Sequence, residues 1–347
     1  AITMRYLDGQ VPVLEGVKPD QIPFEQLFAA EGPIILRGLV SDWSLVKAGE
    51  QSPGKAMEIL QSHSSKKPVG VYIAPPEAEA RFFYNQDCTG FNYQSKYLQL
   101  SDIFAQIREA ENNPDHSYYY MNSLTLDNCF PGLRADNDLS FDHQAFTNNQ
   151  PLSKVWVGTE SIAAAHYDVP SNLACCVLGA RRFTLFPPEQ IHNLYPGPLE
   201  PTPGGQVITM VDLKNPDFER FPRVRRALEA AVVVDLQPGD AVYYPSMWWH
   251  QVEAIGDLNT LINYWFRDPA GAEHHGPPLA ALQHAMLAFK DLEPHQKKTW
   301  QALLDYYVFN QDPAQFDHIP RAARGILNPI DQSLGQTIRS TIRRLLR

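Results

Sequence analysis

Two segments that lie far apart in the sequence constrain the fold most, because together they carry the residues of a metal site. Residues 165–168 read Ala-His-Tyr-Asp, and residues 238–250 begin with Pro-Gly-Asp and end with Trp-Trp-His. In an extended strand, residues i and i+2 point to the same face, so His166 and Asp168 can bind one ion from one side. The fold must then bring His250 to the same ion from another strand.

Two imidazoles and one carboxylate are the ligands of the facial triad in non-haem Fe(II) oxygenases. The His166–Asp168 pair alone is a weak signal, because a chain with 11 histidines and 39 acidic residues contains about one such pair by chance. The turn and aromatic strand that end at His250 are the more specific half. We therefore predict that His166, Asp168 and His250 are the metal ligands and the catalytic residues.

The composition excludes several classes of protein. A chain of 347 residues that is 44% hydrophobic can bury a large core. No apolar run approaches the roughly 18 to 20 residues of a membrane span, and no secretory signal pattern opens the sequence, so we expect a cytoplasmic protein without a membrane partner. The four cysteines lack the spacing of a zinc site or a disulfide framework.

The charge of the chain bears on its partners. A net charge of −10 disfavours broad binding to nucleic acid, because that affinity depends on Lys and Arg displacing counterions. The exception is the segment 321–347, which carries six arginines against Asp331. A solvated helix face accounts for this segment more simply than a nucleic-acid site does.

Between residues 154 and 267 the pattern changes to short apolar strands separated by turn residues. Eight strands are predicted, at residues 155–160, 165–168, 172–178, 181–186, 232–236, 241–244, 251–254 and 260–266. Eight short strands are typical of a jelly roll, also called a double-stranded β-helix. The long connection at 187–231 joins the two halves, and loops of that length inside a compact domain usually have a function.

The flanking regions contain helices. Residues 1–150 mix predicted helices with predicted strands, and residues 269–347 show helical periodicity only. The predicted helices are 24–31, 53–63, 101–112, 279–291, 295–309 and 331–346, and the predicted strands before residue 150 are 33–38, 69–74, 81–85 and 117–121. We predict a β core at 151–268 with N-terminal α/β elements packed on it. The apolar stripes of the C-terminal helices must pack on that core or on a second copy of the chain.

Three blocks of the sequence resemble a known family, the JmjC-type, cupin-like 2-oxoglutarate oxygenases, and within it the asparaginyl hydroxylases. The blocks are residues 165–188, 215–222 and 238–250, and the resemblance extends from about residue 30 to 310. It implies a mainly β fold with α, in which Fe(II) binds 2-oxoglutarate and O2 at its three open positions. It also implies a homodimer formed through the C-terminal helices.

The resemblance assigns further residues to the co-substrate. Arg181 stands where the family usually has a lysine for the far carboxylate of 2-oxoglutarate, and arginine can hold a carboxylate with two hydrogen bonds. Tyr120 matches a tyrosine that contacts the same carboxylate. Asn172 and Asn263 match polar contacts near the co-substrate and metal, and Trp265 shares the Asn-x-Trp motif with Asn263.

Two positions depart from the family pattern. A threonine of the family is Ala163 here, and an aromatic residue of the family is Ala174. Both changes predict a larger or drier pocket. The loss of a hydroxyl at Ala163 removes a donor to 2-oxoglutarate, so its binding is expected to depend more heavily on Arg181 and Tyr120.

The resemblance implies an Fe(II)- and 2-oxoglutarate-dependent dioxygenase that hydroxylates a protein side chain and releases succinate and CO2. One alternative is an RNA or tRNA hydroxylase of the same fold, which the overall acidity disfavours. Demethylation of histone lysines uses the same chemistry, although no accompanying reader domain is recognised in the sequence. A metal-binding cupin without oxygenase turnover, holding Zn or Ni, is the alternative from another class.

Overall fold

The computed structural model describes residues 2–7, 11–267 and 276–347. The chain forms two compact units, Ala1–Asp268 and Pro269–Arg347. Within the described ranges, no helix is both long and apolar enough to cross a membrane. The predicted three-part division of the chain stays a prediction.

The first unit is built on a large mixed sheet. Its strands are β1 (Thr3–Leu7), β2 (Val11–Glu15), β3 (Ile34–Arg37), β4 (Val69–Ala74), β5 (Arg81–Phe82), β6 (Gln94–Leu98), β7 (Tyr118–Thr125), β8 (Leu152–Gly158), β9 (Ser161–His166), β10 (Ser171–Phe186), β11 (Val232–Leu236), β12 (Ala241–Tyr244) and β13 (Trp249–Phe266). The strand order is β1-β2-β3-β12-β10-β13-β8-β7-β4-β6, with β11 beside β10, and β9 between β13 and β5.

The two longest strands, β10 and β13, connect the two halves of the jelly roll. The first half of β10 pairs with β12 and with the second half of β13. The second half of β10 pairs with β11 and with the first half of β13. The first half of β13 also pairs with β9. The predicted fold class, a mainly β jelly roll with helices, is confirmed.

Four strands that the sequence predicts as separate are halves of β10 and β13. In β10, Gly179 adopts a φ of +73° at the point where the register with β13 shifts. The backbone therefore forms a bulge at Gly179, and the same strand continues beyond it. A Cβ atom at Gly179 would lie 2.0 Å from Oδ1 of Asn259. Only glycine fits this close approach between the two strands.

In its described residues, the first unit has six α-helices in addition to the sheet. They are α1 (Phe24–Ala29), α2 (Ser44–Gln51), α3 (Pro53–His63), α4 (Leu100–Ala110), α5 (Leu126–Cys129) and α6 (Val224–Ala230). Helix α2 was not predicted, because only Leu45 and Val46 of its residues bury apolar side chains, too few for a clear periodicity. The main core includes side chains from α1 to α5 and from the sheet.

The C-terminal unit contains α7 (Pro278–Phe289), α8 (Pro294–Leu304), a π-helical turn at Asp305–Phe309 and α9 (Gln332–Leu345). In the part of the unit that the structure describes, Gly335 is the one buried residue of these elements. Large apolar side chains are exposed along the helices; they include Leu287, Trp300, Tyr307, Ile342 and Leu345. The predicted homodimer stays a prediction. The sequence places His274 and His275 after the last strand, where we predict surface residues rather than metal ligands, and both lie outside the described residues.

Candidate metal centre

The pairing of β9 with β13 brings the two histidines together. His166 is the last residue of β9, and its Cα partner across the ladder is His250. Asp168 does not lie in the strand, as the i, i+2 argument assumed, but in the turn that follows it. The turn nevertheless aims the carboxylate back, so that ligand atoms of His166, Asp168 and His250 all lie within 4.8 Å of one another.

Backbone contacts hold Asp168 against the segment that leads to His250. The amide of Met247 donates to the carbonyl of Asp168 at 2.9 Å. The amide of Ser246 donates to Oγ of Ser171 at 3.2 Å, and the Ser246 hydroxyl donates to the carbonyl of Val169. The turn after β9 and the turn before β13 are therefore fixed to each other, and each presents one side of the metal site.

The Pro-Gly-Asp turn fixes where β12 begins. Gly239 adopts a φ of +103°, and a Cβ atom there would lie 2.7 Å from Oγ of Ser41. The carboxylate of Asp240 accepts from the amides of Gly38 at 2.9 Å and Gln237 at 3.0 Å. It also pairs with Arg37 at 3.1 Å. These contacts join the turn to the end of β3 and align the strand that leads to the ligand segment.

Hydrogen bonds select the tautomer of both histidines. Nδ1 of His166 lies 2.9 Å from the carbonyl of Ala164, and Nδ1 of His250 lies 2.9 Å from the carbonyl of Trp248. A carbonyl only accepts, so each Nδ1 carries the proton and each Nε2 keeps its lone pair. Both Nε2 atoms face Oδ2 of Asp168, at 3.6 Å from His166 and 3.1 Å from His250. This is the orientation that metal-binding histidines adopt.

The charge states also suit a cation. Burial, followed by the proximity of His250, lowers the pKa of His166 to about 4, so its imidazole is neutral at pH 7. Burial acts to raise the pKa of Asp168, but the proximity of His250 and His166 holds it below its usual value. Two imidazole Nε2 atoms and an ionised carboxylate fit a divalent metal, and these three ligands leave coordination positions for others.

A cavity of about 140 Å³ opens beside these ligands. Its polar lining comprises Tyr72, Tyr93, Tyr120, Asn172, Arg181, Tyr244 and Asn263 in addition to the three metal-site residues. Its apolar lining comprises Phe82, Trp156, Ala163, Ala164, Phe183, Pro203, Gly204, Ile208, Val252, Leu261 and Trp265. All five residues that the sequence assigns to the co-substrate therefore face the same cavity as the metal site.

Arg181 is a buried cation without a matching anion. The residue is 3% exposed, its Nε has no hydrogen-bond partner, and no carboxylate of the described residues lies within salt-bridge distance of it. Burial lowers the pKa of its guanidinium, and the nearby Cys176 and Tyr120 act to raise that pKa. An unpaired buried charge is costly, so this arrangement fits a site whose anion is supplied by a ligand.

Two further donors face the cavity. Tyr120 is half-buried on β7, and desolvation raises its pKa to about 12 although the charge of Arg181 acts in the opposite direction, so the hydroxyl keeps its proton. The indole Nε1 of Trp265 is buried and has no hydrogen-bond partner. A hydroxyl and an unpartnered indole N–H in the cavity that holds Arg181 are donors that a carboxylate ligand could use.

The two asparagines contact each other, and two residues that sequence reasoning missed complete their network. Nδ2 of Asn263 donates to Oδ1 of Asn172 at 3.2 Å. Asn263 also accepts from the indole of Trp156 at 2.7 Å, and Asn172 donates to the hydroxyl of Tyr244 at 2.7 Å. Tyr244 stands within the Pro-Gly-Asp to His250 segment, and that proximity in sequence to a metal ligand is the signal that could have marked it. Trp156 had no such signal.

The two departures from the family pattern differ in their consequences. Ala163 lines the cavity, so the missing hydroxyl is a change in the site itself. Ala174 is fully buried in a core cluster, and it is not among the described residues that line the cavity. The expectation that Ala174 enlarges the pocket is therefore not supported by its position.

The tryptophans before His250 brace it from the core. Trp249 is 1% exposed and packs against Tyr167, with ring centroids 5.0 Å apart. Trp248 donates through its indole to the carbonyl of Glu31 at 3.2 Å. Both side chains anchor the strand start that carries His250.

The chain is similar to several known proteins over part of its length. Over 125 residues the chain is 32% identical to the "Lysine-specific demethylase JMJ31" of Arabidopsis thaliana, covering 35% of this chain and 22% of that protein. Over 119 residues it is 37% identical to "HSPB1-associated protein 1" of Homo sapiens, covering 34% of this chain and 24% of that protein. It therefore spans only about a quarter of the length of these two relatives.

A third relative matches over a longer range, although at lower identity. The chain is 24% identical over 262 residues to "tRNA wybutosine-synthesizing protein 5" of Homo sapiens, covering 70% of this chain and 73% of that protein. The sequence model of the cupin-like domain family matches residues 19–272, which is most of the chain and includes every residue of the site. The chain therefore belongs to the family of proteins with a cupin-like domain.

Proposed function

We propose that this protein is an Fe(II)- and 2-oxoglutarate-dependent dioxygenase that hydroxylates a protein side chain. The observation that carries the proposal is the combination of a His-Asp-His ligand set and a buried, unpaired Arg181 in one cavity. A metal site alone would not need a buried cation. A dicarboxylate co-substrate that binds the metal at one end and Arg181 at the other accounts for both.

The residues have separate roles in this proposal. His166, Asp168 and His250 would hold Fe(II), which supplies activation of O2 toward a C–H bond when 2-oxoglutarate is bound. Arg181 and Tyr120 would bind and orient the far carboxylate. Phe82, Ile208 and the other apolar residues of the cavity lining would exclude water from the reacting groups. Succinate and CO2 are the expected co-products.

The proposal is tested by a coupled assay on the purified protein. With Fe(II), 2-oxoglutarate and O2, we expect succinate formation that is lost in His166→Ala. Peptides from candidate proteins, including asparagine-centred peptides because asparaginyl hydroxylation is what the sequence resemblance implies, should gain one oxygen atom by mass spectrometry. Metal binding without succinate formation would instead support a cupin that lacks oxygenase turnover.

A tRNA substrate is the second candidate, favoured by the length of the match to the tRNA wybutosine-synthesizing protein. The net charge of −10 opposes it, because nucleic-acid affinity depends on clustered basic residues. Binding of total tRNA measured at low and moderate salt separates the two candidates. Salt-sensitive binding and tRNA-dependent succinate formation would favour the RNA hydroxylase.

We also propose that the protein is a homodimer that associates through its C-terminal helices. The support is the exposed apolar surface on α7 to α9, where Leu287 is 80% and Leu345 is 76% exposed. Sedimentation should give twice the monomer mass at micromolar concentration. The double variant Leu287→Asp with Leu345→Asp should be monomeric, and a wild-type monomer would refute the proposal.

A further inference from the structure

Four side chains at the cavity form a hydrogen-bonded chain whose direction is fixed by their chemistry. The indole N–H of Trp156 can only donate, so the atom of Asn263 that lies 2.7 Å away must be its carbonyl oxygen. This leaves the Asn263 amide nitrogen to donate to the carbonyl oxygen of Asn172 at 3.2 Å. The orientation of both amides follows from one obligatory donor rather than from a choice between oxygen and nitrogen.

Tyr244 is the last of the four hydrogen-bonded side chains, and its hydroxyl proton is not used within the series. The amide nitrogen of Asn172 donates to the Tyr244 hydroxyl oxygen at 2.7 Å, so that hydroxyl must donate in another direction. Among the residues that the structure describes, the Tyr244 hydroxyl accepts this hydrogen bond and donates none. The residue is 2% exposed and lines the cavity, so bulk water does not readily serve instead.

The position of Tyr244 points to the oxygen that would accept this proton. Its ring centroid lies 4.7 Å from that of His250, so Tyr244 flanks the metal-binding part of the cavity. Resting on the proposed function, we infer that Tyr244 is a 2-oxoglutarate-binding residue whose hydroxyl donates to an oxygen of the co-substrate beside His250. Arg181 and Tyr120 then serve one carboxylate of the co-substrate, and Tyr244 serves its other end.

Tyr243, on the same strand, provides a matched control for Tyr244. Tyr243 precedes Tyr244 on β12, is fully buried and packs in the other core cluster, on the opposite face of the strand. Tyr243→Phe and Tyr244→Phe each remove one buried hydroxyl without changing the shape of the ring. Only the second variant changes a group that lines the cavity.

Isothermal titration of the Mn(II)-loaded protein with 2-oxoglutarate tests the inference without requiring turnover. We expect Tyr244→Phe to weaken 2-oxoglutarate binding about 10- to 100-fold, the effect of losing one hydrogen bond to a charged group. Mn(II) affinity should stay at the wild-type value. Tyr243→Phe should change neither affinity.

The outcomes separate this inference from the proposed function. If the wild-type protein does not bind 2-oxoglutarate, the proposed function fails and the inference fails with it. If the wild type binds and Tyr244→Phe binds equally well, the inference alone is overturned. It is also overturned if Tyr244→Phe loses Mn(II), because Tyr244 would then act by positioning the neighbouring metal ligand His250.

A second variant keeps the inference testable if Tyr244→Phe does not fold. Trp156→Phe removes the donor that fixes the direction of the chain, so both amides can turn over and Tyr244 can donate to Asn172 instead. We expect weaker 2-oxoglutarate binding with unchanged Mn(II) affinity. If Trp156→Phe binds 2-oxoglutarate as tightly as the wild type, Trp156 does not fix the direction of these hydrogen bonds, and the inference built on that direction is overturned.

Discussion

Replacing Arg181 with methionine should change co-substrate affinity and protein stability in opposite directions. The side chain is 3% exposed, and its guanidinium has no carboxylate partner among the residues described. Each hydrogen bond from a charged group to a ligand contributes about 1.5 to 3 kcal/mol. Two bonds from one guanidinium to a carboxylate thus give about 3 kcal/mol or more, and Arg181→Met should weaken 2-oxoglutarate binding by at least about 100-fold.

The same substitution should stabilise the protein when no co-substrate is present. Replacing buried charged groups by apolar side chains of similar volume is often neutral or stabilising by about 1 to 4 kcal/mol, and here no internal partner is left unpaired. We expect the free energy of unfolding of Arg181→Met, measured by chemical denaturation of the metal-free protein, to rise by about 1 to 3 kcal/mol. Saturating 2-oxoglutarate should raise the Tm of the metal-loaded wild type more than that of the metal-loaded variant.

Arg182 provides the control for both measurements. It neighbours Arg181 on β10, its side chain is 48% exposed, and it pairs with Asp235 at 2.8 Å on the surface. Arg182→Met should leave 2-oxoglutarate affinity unchanged and alter stability by no more than about 1 kcal/mol. The reasoning is refuted if Arg181→Met binds 2-oxoglutarate like the wild type, or if it destabilises the metal-free protein.

Two further predictions follow from the site and the fold. The pKa of His166 is about 4 in the folded protein against 6.5 as its ordinary value, so the unfolded chain binds more protons between these pH values. The metal-free protein should therefore lose stability as pH falls from 6.5 towards 4, and His166→Gln should show a smaller loss in denaturation curves at pH 7 and pH 5. Gly179→Ala should destabilise the protein by about 1 to 3 kcal/mol or more, because of its φ of +73° and the contact with Asn259, and an unchanged denaturation midpoint would contradict the bulge geometry.

The sequence was informative wherever a local pattern determined the structure. The Pro-Gly-Asp turn and the strand that ends at His250 were recognisable because glycine, carboxylate and aromatic residues each have a local role there. The same reasoning placed Asp168 on a strand, whereas it lies in a turn, because the end of β9 depends on the contacts of Ser246 and Met247 with that turn. A local periodicity contains no information about such contacts.

Sequence patterns could not predict the long strands and the hydrogen-bond network, because both depend on contacts between residues that are distant in sequence. Gly179 reads as a turn between two strands, and only the close approach of Asn259 shows that the chain bulges and continues. The role of Trp156 depends on its contact with Asn263, which is distant in sequence. Such long-range pairs are set by the sheet register, which a single sequence does not specify.

The central claim is that one cavity binds a metal and 2-oxoglutarate together, and anaerobic absorption spectroscopy tests it most directly. Adding 2-oxoglutarate to the Fe(II)-loaded wild type should produce a visible metal-to-ligand charge-transfer band. His250→Ala should lack the band because it lacks the metal, and Arg181→Met should show it only at much higher 2-oxoglutarate concentration. An Fe(II)-loaded wild type that shows no band at any 2-oxoglutarate concentration would contradict the account.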